Sequence, residues 1–235
     1  MPEAAFPNTS WTAVFTARAG GDTAGAHAAL GRLCQQYWYP LYAFARRWGL
    51  GPEDAEDATQ SFFASLTKAG LLAGADPTRG KLRTFFLAAF QRDLVDFKKA
   101  ARREKRGGGR VISLDHLAAE ERIAAEPTAS AEEIFDHAWA LEVLDAAVAR
   151  LEQNYAATDR AGQFAALRPF LTDDADYDAL CAELSLNPAA ARQAVHRLRE
   201  RLGRALRDEI AGTLFEPTDA TVDEELAALK TALAR

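Results

Sequence analysis

Apolar residues along most of the chain recur at intervals of three and four positions, the spacing of one face of an α-helix. Stretches that alternate apolar and polar residues, as a half-buried strand would, are few. Alanine, which has the most favourable helix propensity of all residues, is abundant. The sequence therefore predicts an all-α protein.

Three helical stretches are predicted in the first half of the chain. The first covers about residues 23–48 and stops at the glycines near residue 50. The second begins at Pro52, because proline suits the first turn of a helix, and runs to about residue 71. The third covers residues 81–105, as one helix or as two separated by a short bend. Three consecutive glycines then end regular structure.

The second half shows the same helical spacing after an acidic stretch at residues 110–133, which has the composition of a linker. A short amphipathic helix at residues 222–233 is expected to dock on one of the domains. The pattern predicts two small helical domains joined by an acidic linker. The expected organisation is an N-terminal extension at residues 1–22, a domain at 23–106, a linker at 107–133, a second domain at 134–214 and a C-terminal extension at 215–235.

Composition supports a folded two-domain chain. Of 235 residues, 49% are apolar and 26% charged, which is enough apolar material for two small cores. No apolar run approaches the roughly 20 residues that span a bilayer, so a cytoplasmic protein without membrane contact is expected. Cys34 and Cys181 form no metal or disulfide pattern and are expected to be core residues.

Charge is strongly segregated along the chain. Residues 98–110 carry seven basic side chains and one acidic one, and residues 192–207 carry six arginines and one glutamate. These two segments carry net charges of +6 and +5. Because the net charge of the whole chain is −6, the rest of the chain has a net charge of −17. Two basic segments on an acidic body fit two nucleic-acid contacts, although two solvated helix faces would give the same pattern.

A helix-turn-helix is predicted around the sequence Ser-Leu-Asn-Pro at residues 185–188. Asn187 is a favourable N-cap and Pro188 suits the first helical position, so a new helix begins there. In this arrangement the start of the second helix enters the major groove. The alternative is an ordinary pair of helices with a basic outer face. The side chains expected to face DNA are Arg192, Gln193, His196, Arg197, Arg199 and Arg201.

The acidic segment DAEDATQSFF, residues 54–63, resembles the second conserved segment of the sigma-70 family of RNA polymerase sigma factors, in particular the extracytoplasmic function group. In that family this helix binds the clamp helices of the largest polymerase subunit. The resemblance implies a polymerase contact through Asp54, Asp57, Gln60 and Phe63. Without the resemblance, such an acidic face would be read as ordinary solvated surface.

Two further segments resemble the same family. KLRTFFLAAFQRDLVDFKKAARREKR resembles the helices that melt and read promoter DNA, and LCAELSLNPAAARQAVHRLRERL resembles the segment that reads the minus-thirty-five element. Phe85 and Phe86 match an aromatic pair, and Asp96 matches the acid before a basic run. The resemblance implies DNA contacts by Phe85, Arg92, Lys98, Lys99, Arg102, Arg103 and Arg106.

The chain departs from the family pattern at three places. Cys181 and Ser185 stand where alanine and a turn glycine are usual, and residues 150–172 are longer than usual. At the bend that reads the minus-ten element the chain has Gln91-Arg92-Asp93 and no asparagine. The promoter sequence therefore does not follow from the resemblance.

The expected function is that of a sigma factor, whose partners are core RNA polymerase and promoter DNA. No cofactor, metal or catalytic residue is expected. Whether an anti-sigma or other regulatory protein also binds stays open. One alternative is a stand-alone helix-turn-helix regulator. Another is an enzyme built on a helical bundle, which is disfavoured because the four histidines form no HExxH pattern and no phosphate-binding glycine loop is present.

Overall fold

The computed structural model describes residues 24–67, 81–101, 120–123, 129–172, 176–214 and 216–234. The regular structure of these residues is helical and includes no strand, which confirms the predicted all-α class. The helices are α1 Ala24–Arg47, α2 Pro52–Thr67, α3 Leu82–Ala101, α4 Ala131–Ala156, α5 Ala161–Leu167 with a 3₁₀ turn at Arg168–Leu171, α6 Tyr177–Leu184, α7 Pro188–Gly212 and α8 Asp219–Leu233.

The described residues form two compact units. The first unit comprises the chain up to Glu142 together with Ile210 onward, and the second unit is Val143–Glu209. The boundaries thus fall inside α4 and α7, whereas the sequence pattern predicts the division in a linker at residues 107–133. The start of α4 belongs to the first unit because Ile134 and Ala138 are buried in one cluster with Ala43 of α1.

Aromatic side chains from α1, α2 and α3 fill the core of the first unit. Tyr37 stacks on Phe86 with ring centroids 4.7 Å apart, and Phe62 meets Phe86 and Phe90 edge-on at 5.9 and 5.3 Å. Edge-to-face pairs of this kind add about 0.5–1.5 kcal/mol beyond the burial of area. The helical spacing of apolar residues therefore identified the buried faces correctly. The third stretch is one helix as far as Ala101.

Part of the predicted linker is bound to the first unit. The carboxylate of Glu120 accepts hydrogen bonds from the hydroxyl of Tyr42 at 2.6 Å and from Nε and a terminal nitrogen of Arg46 at 2.6 and 2.7 Å. The bond to Glu120 raises the pKa of Arg46, and burial together with Glu120 raises the pKa of Tyr42. The acidic segment is therefore bound to α1 at Glu120 and does not act only as a flexible linker there.

The C-terminal helix α8 also docks on the first unit, in line with the expectation that it packs on one of the domains. It begins with a capping box in which Thr218 and Thr221 exchange side-chain and backbone hydrogen bonds. Glu225 lies on its buried face, only 1% exposed, and pairs with Lys81 and Arg83 beside the start of α3. A carboxylate therefore anchors α8.

The two cysteines are free and half-buried, and Cys181 packs at the edge of the core of the second unit. Partial burial raises the pKa of the Cys34 thiol. The core position expected for both is thus met only in part. Among the described helices, none combines the length and the apolar character that crossing a membrane requires.

Candidate nucleic-acid interface

The turn between α6 and α7 is closed by a residue in the left-handed conformation. Ser185 has φ 52° and ψ 43°, and the amide of Leu186 donates to the carbonyl of Cys181 at 2.9 Å. This is the usual way in which a helix ends, although glycine is the residue that adopts it without strain. Ser185 therefore closes a left-handed turn at a conformational cost.

Ser185→Gly is expected to raise the free energy of unfolding of the second unit by about 0.5–1 kcal/mol. Left-handed backbone costs a residue with a Cβ roughly 1–2 kcal/mol, and the greater freedom of glycine in the unfolded chain offsets part of the gain. Chemical denaturation followed by circular dichroism measures the change. Ser185→Ala is the control, because it keeps the Cβ, and a glycine variant no more stable than the alanine variant would contradict the argument.

The start of α7 is fixed by the cap predicted from the sequence. The side-chain oxygen of Asn187 accepts a hydrogen bond from the amide of Ala190 at 2.8 Å, and Pro188 occupies the first helical position. The cap satisfies an amide that the helix itself leaves unpaired. The Asn187–Pro188 boundary is confirmed.

One face of α7 is buried in the core of the second unit. Ala191, Ala194, Val195 and Leu198 are at most 4% exposed and lie in one cluster with residues of α4, α5 and α6, including Leu180. Because this face is turned inward along the whole first half of α7, the polar residues between these positions must face outward.

Four polar side chains lie together on the outer face of the first turns of α7. Arg192, Gln193, His196 and Arg197 are all exposed. The His196 ring is 73% exposed, with Nε2 3.4 Å from a carboxylate oxygen of Glu200. Arginine can bind guanine and glutamine can bind adenine through paired hydrogen bonds in the major groove. The structure thus brings together the residues on which the sequence analysis placed base reading.

Arg199 and Arg201 have roles within the second unit. Nε and a terminal nitrogen of Arg199 both donate to the carbonyl of Phe170, at 3.1 and 3.0 Å, which ties the 3₁₀ turn to α7. The guanidinium of Arg201 lies 5.2 Å from the ring centroid of Tyr155. Contact of either side chain with DNA stays a prediction, and it would be added to these intramolecular contacts.

In the first unit, α2 presents an acidic face. Asp54 and Asp57 are exposed, and Gln60 is exposed with its amide 2.8 Å from the Glu56 carboxylate. Intervals of three residues place Asp54, Asp57 and Gln60 on one side of the helix. Phe63 is only 8% exposed. The two carboxylates and Gln60 thus lie on the surface of the first unit, whereas the Phe63 ring belongs to its core.

The two aromatic residues near the start of α3 differ in burial. Phe86 is fully buried, and Phe85 is half-buried with its ring centroid 6.0 Å from that of Phe86. Arg92 is exposed, and its Nε donates to the carbonyl of Ala88 at 3.2 Å. Partial burial raises the pKa of the neighbouring Asp93. Phe85 is thus the member of the pair that keeps an accessible surface.

The predicted basic run is described only in its first residues. Lys98 lies 4.0 Å from the ring centroid of Trp48, and its ammonium donates to the carbonyl of Trp48 at 3.2 Å. Lys99 pairs with Asp96 at 3.0 Å on an exposed surface, where such a pair contributes little. Other predicted contacts lie outside the described residues: Arg102, Arg103 and Arg106.

Sequence reasoning did not single out the anchoring carboxylates. In the sequence, Glu120 is one of several acids in the predicted linker, and Glu225 is one of several acids in the predicted amphipathic helix. The only signal for Glu225 was its interval of three and four residues from Val222 and Leu229, which places a carboxylate on the apolar face. Such a placement suggests a buried ion pair but does not identify the cation.

The chain matches no protein-family model, no curated protein and no solved structure in comparisons with known proteins. The functional interpretation therefore rests on the residues, on their geometry and on the resemblance of the three sequence segments described above.

Proposed function

We propose that this protein is a sigma factor of the sigma-70 family, which binds core RNA polymerase and directs it to promoters. The observation that carries the proposal is the capped start of α7, where Arg192, Gln193, His196 and Arg197 form one exposed polar face above a buried one. A helix of this kind after a three-residue turn is suited to reading duplex DNA in the major groove.

The second unit would bind the upstream promoter element. The first turns of α7 enter the major groove, where the four exposed side chains meet base edges and phosphates. The excess of arginine over acidic residues in α7 supplies attraction to the DNA backbone, which weakens as salt rises. The second unit contributes no bond-making chemistry in this account.

Arg197→Ala is expected to weaken binding to the upstream promoter element by about 1–3 kcal/mol, the magnitude of one base contact or one strong phosphate contact. Footprinting of the polymerase complex on a promoter that it selects measures the loss. Arg168→Ala is the control, since Arg168 is an exposed arginine of the same unit that belongs to the 3₁₀ turn and not to α7. Unchanged upstream protection in the Arg197 variant would remove this side chain from the interface.

The first unit would bind polymerase and open the promoter. The exposed acids of α2 contact a basic surface of the largest subunit, while Phe85 and Arg92 of α3 face the DNA. Stacking of a base on an aromatic ring contributes about 1–3 kcal/mol, close to the few kcal/mol that unstacking one base step costs. Because the two nearly cancel, melting depends on the polymerase as well as on this chain.

One observation also fits a stand-alone helix-turn-helix regulator. The helix-turn-helix has its own buried core within the second unit, so the reading helix is held in place without any partner. A regulator of this class would bind its duplex site tightly as a free protein, and its acidic α2 face would be plain surface.

Co-purification tests the proposal. The tagged protein is isolated from its own cells and washed at moderate salt. We expect the large polymerase subunits to be recovered with it. Absence of polymerase, together with sequence-specific duplex binding by the free protein, would overturn the sigma assignment and support the regulator.

A further inference from the structure

The second unit contains an arginine-lined pocket apart from the four residues assigned to base reading. The pocket has a volume of about 530 Å³ and lies between the last turns of α4, the loop that follows α4 and the middle of α7. Its basic side chains are Arg150, Arg160, Arg201 and Arg204.

Positive charge in this pocket is largely uncompensated. Arg150 pairs with Asp208 at 3.3 Å and with Glu209 at 2.9 Å. Within the described part of the chain, no carboxylate pairs with the other three arginines, and Asp208 is the only acidic residue of the lining. Three cations around one concave surface create a positive potential that favours an anion.

Two of these cations are positioned by one aromatic ring. The guanidinium groups of Arg201 and Arg160 lie 5.2 and 5.4 Å from the ring centroid of Tyr155, and Nε of Arg160 donates to the hydroxyl of Thr158 at 3.0 Å. A guanidinium held beside a ring keeps N–H groups directed away from it. Because the side chains are already placed, a ligand would order them at little entropic cost.

We propose that this pocket binds a free small molecule that carries two or more phosphate groups. The planar guanidinium of arginine matches the oxygens of a phosphate group. Three uncompensated positive charges require more than one phosphate group to balance them. Tyr155 is only 3% exposed, so its ring offers no surface on which a base could stack. The phosphate groups are therefore the part of the ligand that is recognised.

The concave shape and the volume of the pocket suit a free small molecule. Arg204 follows Arg192 by twelve residues, which corresponds to about 18 Å along a helix axis. Arg204 is therefore well separated from the four side chains proposed to read bases. The proposal is independent of polymerase binding, and polymerase is not needed to test it.

Titration calorimetry of the full-length protein with inorganic tripolyphosphate at about 0.1 M salt is the test, since exposed charges are largely screened there beyond about 10 Å. We expect one site per chain and at least tenfold weaker binding by the variant with Arg160→Ala and Arg204→Ala. Both side chains are exposed, so the fold should persist, and circular dichroism checks it. The control Arg168→Ala removes an exposed arginine of the same unit and should bind within twofold of the parent.

Two results would overturn the proposal. Equal binding by parent, pocket variant and control would show that tripolyphosphate binds through diffuse charge. No binding of tripolyphosphate by the parent, with weaker duplex binding by the pocket variant, would show that the arginines serve the DNA backbone instead.

Discussion

Glu225→Gln should lower the free energy of unfolding of the first unit by about 3 kcal/mol. The carboxylate is 1% exposed and pairs with the ammonium of Lys81 and the guanidinium of Arg83, with a distance of 2.9 Å from Nε of Arg83 to a carboxylate oxygen. Breaking a buried pair by removing one partner costs about 3–5 kcal/mol because the other charge is left without compensation. The two cations retain some exposure, 33% and 16% of their side chains, so the lower end of the range applies.

The contacts of Arg83 explain why removal of the Glu225 carboxylate is costly. Its guanidinium also pairs with Asp136 and lies 4.7 Å from the ring centroid of Trp139. Burial lowers the pKa of Arg83, but the hydrogen bonds and charges of Glu225 and Asp136 outweigh burial and the pKa is raised. A guanidinium is charged throughout the ordinary pH range, so Arg83 stays charged when Glu225 is replaced. Of its two carboxylate partners only Asp136 then remains.

Tryptophan fluorescence during chemical denaturation measures this change in the first unit, because all four tryptophans precede residue 143. Glu224→Gln is the matched control, since it makes the same substitution at an exposed position of the same helix. If the two variants unfold at the same denaturant concentration, Glu225 does not anchor α8.

The double variant with Asp54→Arg and Asp57→Arg should lose association with core polymerase by at least 100-fold, about 3 kcal/mol or more. Both carboxylates are exposed on α2, so their replacement leaves the core intact. The substitutions remove the attraction between α2 and a basic partner surface, and the new arginines are repelled by that surface. Like charges that face each other across an interface cost several kcal/mol.

Competition binding to purified core polymerase measures the loss. The control variant with Glu121→Arg and Glu224→Arg changes the net charge by the same amount at two exposed positions of the first unit outside α2. Both proteins should unfold cooperatively. Undiminished polymerase binding by a folded Asp54/Asp57 variant would exclude α2 as the contact.

Features that depend on neighbours in sequence could be predicted. The Asn187–Pro188 boundary, the start of α2 at Pro52 and the buried faces of α1 and α3 all follow from caps and helical spacing within a few turns. The exposed polar face of α7 follows from the same spacing once Ala191, Val195 and Leu198 are placed inside.

Features that depend on distant residues could not be predicted. Glu225 meets Arg83, 142 positions earlier in the chain, and no local signal joins them. The division of α4 between two units is likewise invisible in its continuous helical pattern. The sequence places Arg199 among the side chains that face DNA, whereas its bond to the carbonyl of Phe170 depends on how the 3₁₀ turn folds against α7. The pocket around Tyr155 could not be predicted because residues of both α4 and α7 line it.

The most direct test of the sigma assignment is transcription by purified core polymerase from the same cells, with and without this protein, on fragmented genomic DNA followed by sequencing of RNA 5′ ends. The account predicts new start sites that share upstream and downstream elements at fixed spacing, absent without the protein and absent with the Asp54/Asp57 variant. Core polymerase that elongates on primed templates but gains no specific start sites when the protein is added would contradict it.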